Sequence, residues 1–302
     1  NQLKATLFNR ADFIERAKSF VAVHIDGDLP GAQQLGSRFK VRGYPTMILM
    51  AADGTEITRL PGEVDAPQVL NVLQLGLAGG RPVKTVLADA LGGKPVSGPE
   101  WRMLAFYGWD IDQDQLVSAT ERPALLAQLS RACPPTERAA ATRLLLKAVA
   151  ESEDGKGVPP DAALRSRVRS LLADAAATRA QMDVVVNQAP DLLKALAPAP
   201  GPERQALAAA FDTALQRLEA DASLSRADRM AAICRRYQLC GDLTIAYDKE
   251  QRDQLWKARK ALYPTLYRFD PRRLAEGLAP LQLDAPAPKL KARDFMKNNE
   301  AN

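Results

Sequence analysis

Two patterns of apolar residues follow one another along this chain. In the first 80 residues, alternating runs and helical stripes interleave; from Pro82 onward the helical period of about 3.6 dominates. Residues 2–8 read as the tail of a helix. Asn9 with Asp12 looks like an N-cap and an acidic first turn, which predicts a helix to about Ser19 with Phe13, Ile14 and Ala17 facing inward. Residues 20–26 alternate as a strand does: Val21, Val23 and Ile25 share one face and His24 lies on the other. Pro30-Gly31 opens a helix in which Leu35 and Phe39 share a face. Met47-Ile48-Leu49-Met50 is a short uninterrupted apolar run, as expected of a strand covered on both faces. Asp53-Gly54 is a strong hairpin signal leading into a second strand from Glu56 to Leu60, closed by Pro61-Gly62. Asp65, followed by Pro67 and Gln68, caps a last helix through Leu77, and Gly79-Gly80 ends it.

Beyond Pro82, Ala, Leu and Arg take over. Residues 83–91 form a short helix stopped by Gly92-Gly93, and Ser97-Gly98-Pro99-Glu100 reads as a capping box ahead of Trp101, Leu104 and Ala105. Tyr107 and Trp109 belong to an aromatic cluster read as core. The clearest stripe is Ala141, Leu144, Leu145, Ala148 and Val149, within a helix from Pro135 to Ala150. Further stripes are Leu164/Val168/Leu171/Leu172/Ala175, Met182/Val185/Val186/Ala189 up to Pro190, and Leu207/Phe211/Ala214/Leu218. Ser225 to Asp228 opens a helix with Met230, Ile233, Cys234 and Tyr237 inward, and a final helix carries Leu255, Trp256, Ala258 and Leu262. The paired helices recur about every 40 residues, the spacing of a repeat array; a plain helical bundle accounts for them nearly as well. The domains are therefore read as 1–80, 83–280 and a polar tail at 284–302.

Composition narrows the function. The 302 residues are 46% hydrophobic and 25% charged, ordinary globular material. The net charge of +5 comes from arginines spread singly along helices, which reads as a solvated basic surface. Clustered Lys/Arg with stacking aromatics is missing, so no nucleic-acid partner is expected. No apolar run reaches the ~20 residues of a membrane-spanning helix. One histidine, His24, and three cysteines without metal spacing argue against a Cys/His metal site. Cys133 precedes Pro134-Pro135. Cys234, on an apolar face, is read as an inert buried thiol; a disulfide to Cys240 would need the helix to end near Gln238.

The order helix, strand, helix, Val41-Arg42-Gly43-Tyr44-Pro45-Thr46, strand, hairpin, strand, helix resembles the second half of a thioredoxin fold. The expected fold class is thus α/β thioredoxin-like and incomplete, followed by an all-α bundle or repeat region. In that family a cis proline faces a Cys-x-x-Cys motif that precedes it in the chain, and the matching bond here is Tyr44–Pro45. The resemblance implies that Gly43, Tyr44, Pro45 and Thr46 form a substrate-facing loop. It also implies a periplasmic thiol–disulfide oxidoreductase without cofactor, whose partners are protein substrates or a redox partner protein. No cysteine precedes Pro45, so the catalytic dithiol and the central strand that carries it are expected just ahead of Asn1. The rival expectation is a redox-inactive thioredoxin-like and helical-repeat protein that binds or scaffolds partners.

Overall fold

The computed structural model describes residues 8, 10–27, 29, 31–41, 46–61, 66–77, 80–112, 114–152, 157–242 and 257. The expected helix at residues 2–8 falls outside them apart from Phe8, as do the final helix apart from Lys257 and the whole tail. The N-terminal elements are α1 (Ala11–Ala17), α2 (Ala32–Arg38), β1 (Thr46–Met50), β2 (Glu56–Pro61) and α3 (Ala66–Leu77). Their sheet is a two-stranded antiparallel hairpin in which Met47 faces Leu60 and Ile48 faces Arg59, with a bulge at Leu49/Met50. The Asp53-Gly54 turn forms as expected: Gly54 takes φ +84°, and Asp53 Oδ1 accepts the Thr55 N–H at 2.9 Å. α3 lies against β1 so closely that a Cβ at Gly76 would overlap the Leu49 side chain.

Three local expectations change. Ile14 points outward, 51% exposed, while Phe13 packs between Phe8 and Phe20 with ring centroids 5.2 and 6.4 Å away. β1 is half-buried along its length rather than covered on both faces, because among the described residues only β2 pairs with it. Residues 20–26 are extended or bent but form no strand. The alternation is real, yet no described strand lies alongside to complete a ladder, and strands exist only by pairing.

The helical region contains α4 (Val83–Leu91), α5 (Gly98–Phe106), a 3-10 turn (Trp109–Ile111), α6 (Arg122–Ala132) and α7 (Arg138–Ala150). It continues with α8 (Ala162–Ala173), α9 (Ala175–Ala180), α10 (Met182–Asn187), α11 (Ala189–Leu196), α12 (Pro202–Ala220) and α13 (Arg226–Asp242). Pro190 begins α11 instead of ending the preceding stripe, since proline fits a helix's first turn without losing a hydrogen bond. Ala175 is exposed and starts α9, where Asp174 Oδ1 caps the Ala177 N–H at 3.0 Å.

Two apolar cores form among the described residues. The first runs without a break from β2 and α3 through α4, α5 and α6 to α7, through Leu60, Val69, Val86, Leu104, Trp109, Leu129 and Leu144. The second gathers α8 and α10 to α13 around Val185, Leu193, Phe211 and Leu215. α7 serves both: Ala140, Ala141, Leu144 and Ala148 face the first core, Leu146 and Val149 the second.

The arginines are not simply a solvated basic surface. Arg59, Arg143 and Arg236 are buried. Others close helix C-termini, whose last carbonyls lack helical partners and carry the negative end of the dipole. Arg217 donates to Leu172 O and, at 2.6 Å, to Ala173 O at the end of α8. Arg235 bonds Val186 O at 2.5 Å and Asn187 O at 3.0 Å at the end of α10. Arg204 reaches Ala197 O just past α11 at 2.5 Å.

The capping box at α5 forms through Glu100, whose Oε2 accepts the Ser97 N–H and Oγ–H, each at 2.8 Å. Glu100 Oε1 accepts from Arg81 Nε at 2.7 Å. The Arg81 bond, with help from Ser97 and against partial burial, holds the Glu100 carboxyl down at about 2 from its ordinary 4.5. A depressed carboxylate stabilises the fold above its unfolded pKa, and that contribution disappears as pH falls through the folded value. Glu100→Gln should therefore lower Tm by about 2–4 °C at pH 7. The difference should close between pH 4.5 and about 2, which thermal unfolding across that range will show.

Candidate functional site

The loop singled out by the sequence is approached from α2. Gly31, at φ +88°, starts that helix, and its end is a Schellman closure. Val41 N–H reaches back to Gly36 O at 2.8 Å and Lys40 N–H to Ser37 O at 3.1 Å. The pivot of this closure is Lys40 at φ +50°, a left-handed conformation that glycine usually supplies and that costs a side-chain-bearing residue about 1–2 kcal/mol. Of the four predicted site residues, Gly43, Tyr44 and Pro45 lie outside the described residues. Thr46 opens β1 opposite Pro61.

What surrounds the stems of this loop was not visible in the sequence. Arg59, in the middle of β2, has a side chain with no exposure, and all five of its N–H groups are used. Nε and Nη2 grip Glu56 at 2.7 and 2.8 Å; Nη2 also bonds Phe39 O at 3.0 Å; Nη1 bonds Lys40 O at 3.1 Å and Ile111 O at 3.4 Å. Burial alone would lower the guanidinium pKa, but Glu56 outweighs it and the shift is upward, so the charge is permanent. On the main chain, Arg59 pairs with Ile48, and its carbonyl accepts the Gly108 N–H at 2.9 Å.

The helical side of this junction is equally built. Tyr107 donates its hydroxyl to Asp112 Oδ1, and Asp112 Oδ2 accepts the Leu116 N–H at 2.9 Å. Burial, then Asp112, pushes the Tyr107 phenol far up, so it remains a donor at any physiological pH. Trp109 stacks edge-on to Tyr107 with centroids 4.9 Å apart and gives its indole N–H to Leu104 O at 2.9 Å. The aromatic cluster is thus core, as the sequence suggests.

The cysteines lie far along the chain from this junction. Cys133 is buried in the first core, and burial pushes its thiol up to about 11, which removes the thiolate that nucleophilic chemistry needs. Cys234 is a half-buried free thiol on α13. His24 is exposed in the extended segment 20–26. Among the described residues no three His, Cys, Asp or Glu side chains are grouped to hold a metal. No helix among them is long and apolar enough to cross a membrane.

The extended segment completes the picture. Val21 is 90% exposed, Val23 75% and Ile25 46%. Residues 21–25 make no main-chain hydrogen bond to any described residue. An alternating apolar row with a bare backbone is the profile of a strand that lacks its neighbour. Residues 1–76 match the family model of the thioredoxin-like domain. No curated protein and no solved structure matches the chain.

Proposed function

We propose that this chain, whose first 76 residues match the thioredoxin-like domain, is the substrate-facing and helical part of a thiol–disulfide oxidoreductase. The dithiol comes from a segment preceding residue 1, whose strand pairs alongside residues 20–26. The observation that carries this reading is the bare segment itself, with Val21, Val23 and Ile25 turned to solvent. Burying those three side chains would stabilise the added strand by roughly 1.5–3 kcal/mol each, and the free amides and carbonyls of residues 21–25 would supply its ladder.

In the reaction, a cysteine thiolate on the preceding segment attacks one sulfur of a substrate disulfide. One S–S bond forms as the other breaks, and the second substrate sulfur leaves as a thiolate that takes up a proton. The resolving cysteine then attacks the mixed disulfide, so that the substrate leaves reduced and the enzyme dithiol becomes a disulfide. The stretch Gly43, Tyr44, Pro45 and Thr46 aligns the substrate, since a proline offers no N–H and the residue before it can pair with an extended peptide. Protein substrates or a protein redox partner fit this role, and no cofactor is required. The periplasm, where disulfides form and persist, is the setting this reading carries with it from the family resemblance.

The test is made on the native polypeptide, with its N-terminus read by intact mass and peptide mapping. A Cys-x-x-Cys motif just ahead of Asn1 and reduction of insulin disulfides are expected. Pro45→Thr should slow that reduction about tenfold to hundredfold through misalignment of the reacting sulfurs. An unchanged rate would sink the loop assignment. A native product without the dithiol would leave a peptide-binding or scaffold module, with residues 21–25 open to a partner's strand.

A further inference from the structure

The junction around Arg59 joins three parts of the fold that sequence leaves far apart. We propose that Arg59 is a positioning residue: it locks the two backbone stems, 39–41 and 46–48, that flank residues 42–45, and ties their spacing to the helical region.

The N-terminal stem is held by the side chain. Two guanidinium N–H groups bond the carbonyls of Phe39, the C-cap whose carbonyl the helix end leaves without a helical partner, and of Lys40 just past it. These bonds favour the left-handed Lys40, because that conformation directs both carbonyls at the buried charge. The C-terminal stem is held by the main chain, through the Ile48–Arg59 pairing in the hairpin. The third anchor is the corner after α5, where Gly108 donates to Arg59 O and Ile111 accepts from Nη1. A displacement of that corner therefore moves Arg59, and Arg59 moves both stems together.

The chemistry requires arginine. Five donors in a rigid plane serve Glu56, Phe39, Lys40 and Ile111 at once, whereas a lysine ammonium has three donors diverging from one point. Lys40 is the dependent partner, so a glycine at position 40 would hold the same turn without support. The structural claim stands independently of the proposed redox chemistry; its functional consequence rests on that reading.

Amide hydrogen exchange on Arg59→Lys provides the test. The amides of Lys40 and Val41, which donate into the helix closure, should exchange at least tenfold faster, while those of Leu207, Phe211 and Leu215 on α12 stay within twofold of wild type. Adding Lys40→Gly to Arg59→Lys should restore the Val41 protection. If Lys40 and Val41 exchange as in wild type, or α12 accelerates equally, Arg59 is not a positioning residue of the stems. Failure of the glycine rescue would likewise overturn the proposal. With the native dithiol-bearing polypeptide, Arg59→Lys should also raise KM for a protein disulfide more than it lowers kcat. Loosened stems with unchanged kinetics would keep the positioning role and remove the assignment of 42–45 as the substrate loop.

Discussion

Arg143→Met should destabilise the protein by about 3–5 kcal/mol, the cost of leaving a buried charge without its partner. Arg143 projects from α7 into the seam between the cores. Nη1 and Nη2 fork onto Asp183 at 2.7 and 2.5 Å, Nε bonds Ala105 O at 3.0 Å, and the guanidinium carbon lies 4.1 Å from the Phe106 ring centroid. Burial pushes the Asp183 carboxyl up, but the Arg143 charge and hydrogen bonds outweigh it and keep the group below its ordinary range. Once Arg143 is gone, burial prevails and Asp183 takes up a proton more readily. The stability deficit, measured by urea unfolding, should therefore be largest at neutral pH and shrink as pH falls through the range where Asp183 can neutralise. Arg143→Met combined with Asp183→Leu should recover about 2 kcal/mol or more of the loss, because an apolar pair of similar volume replaces a buried ion pair at little cost. An equal loss in the single and double variants would show that the Ala105 bond and the Phe106 contact, not the ion pair, hold the seam.

Trp109→Ala should cost a comparable amount, about 3–5 kcal/mol, as deletion of a wholly buried indole leaves a cavity that its neighbours only partly fill. Two contributions separate by substitution. Trp109→Phe keeps a ring against Tyr107 but removes the indole donor from Leu104 O, which retains only the Tyr107 N–H at 3.4 Å; this loss should cost about 0.5–1.5 kcal/mol. Denaturant midpoints for the two variants measure the difference. If Trp109→Phe matched wild type, the Leu104 bond would contribute nothing net.

The positions of the main elements were legible where local chemistry decides structure. Asp53-Gly54, the Ser97 to Glu100 capping box, Gly92-Gly93 and the stripe of α7 all signal through residues within a few positions of one another. The thioredoxin-like character of the first 76 residues was legible too, from the order of elements around Pro45. What failed needed partners distant in sequence. Residues 20–26 have the alternation of a strand, but alternation cannot supply a neighbour to pair with. Ile14 fits an inward face on its own helix, yet no described core lies on that side. The arginines depend on distant partners in the same way. An Arg in an amphipathic helix looks solvated until the carbonyls it meets some 40 residues away, such as Leu172 and Ala173 for Arg217, are brought beside it. Arg59 is the extreme case: a lone charge in a strand gives no hint that it gathers residues 39, 40, 56 and 111.

The two-sided burial of α7 limits how this polypeptide can be dissected. If the chain were expressed as two pieces parted anywhere between α6 and α8, whichever piece kept α7 would display the stripe meant for the other. Its counterpart would lose a wall of its interior. Fragment boundaries for crystallisation, or for grafting the helices onto another protein, therefore have to keep α6, α7 and α8 on a single chain.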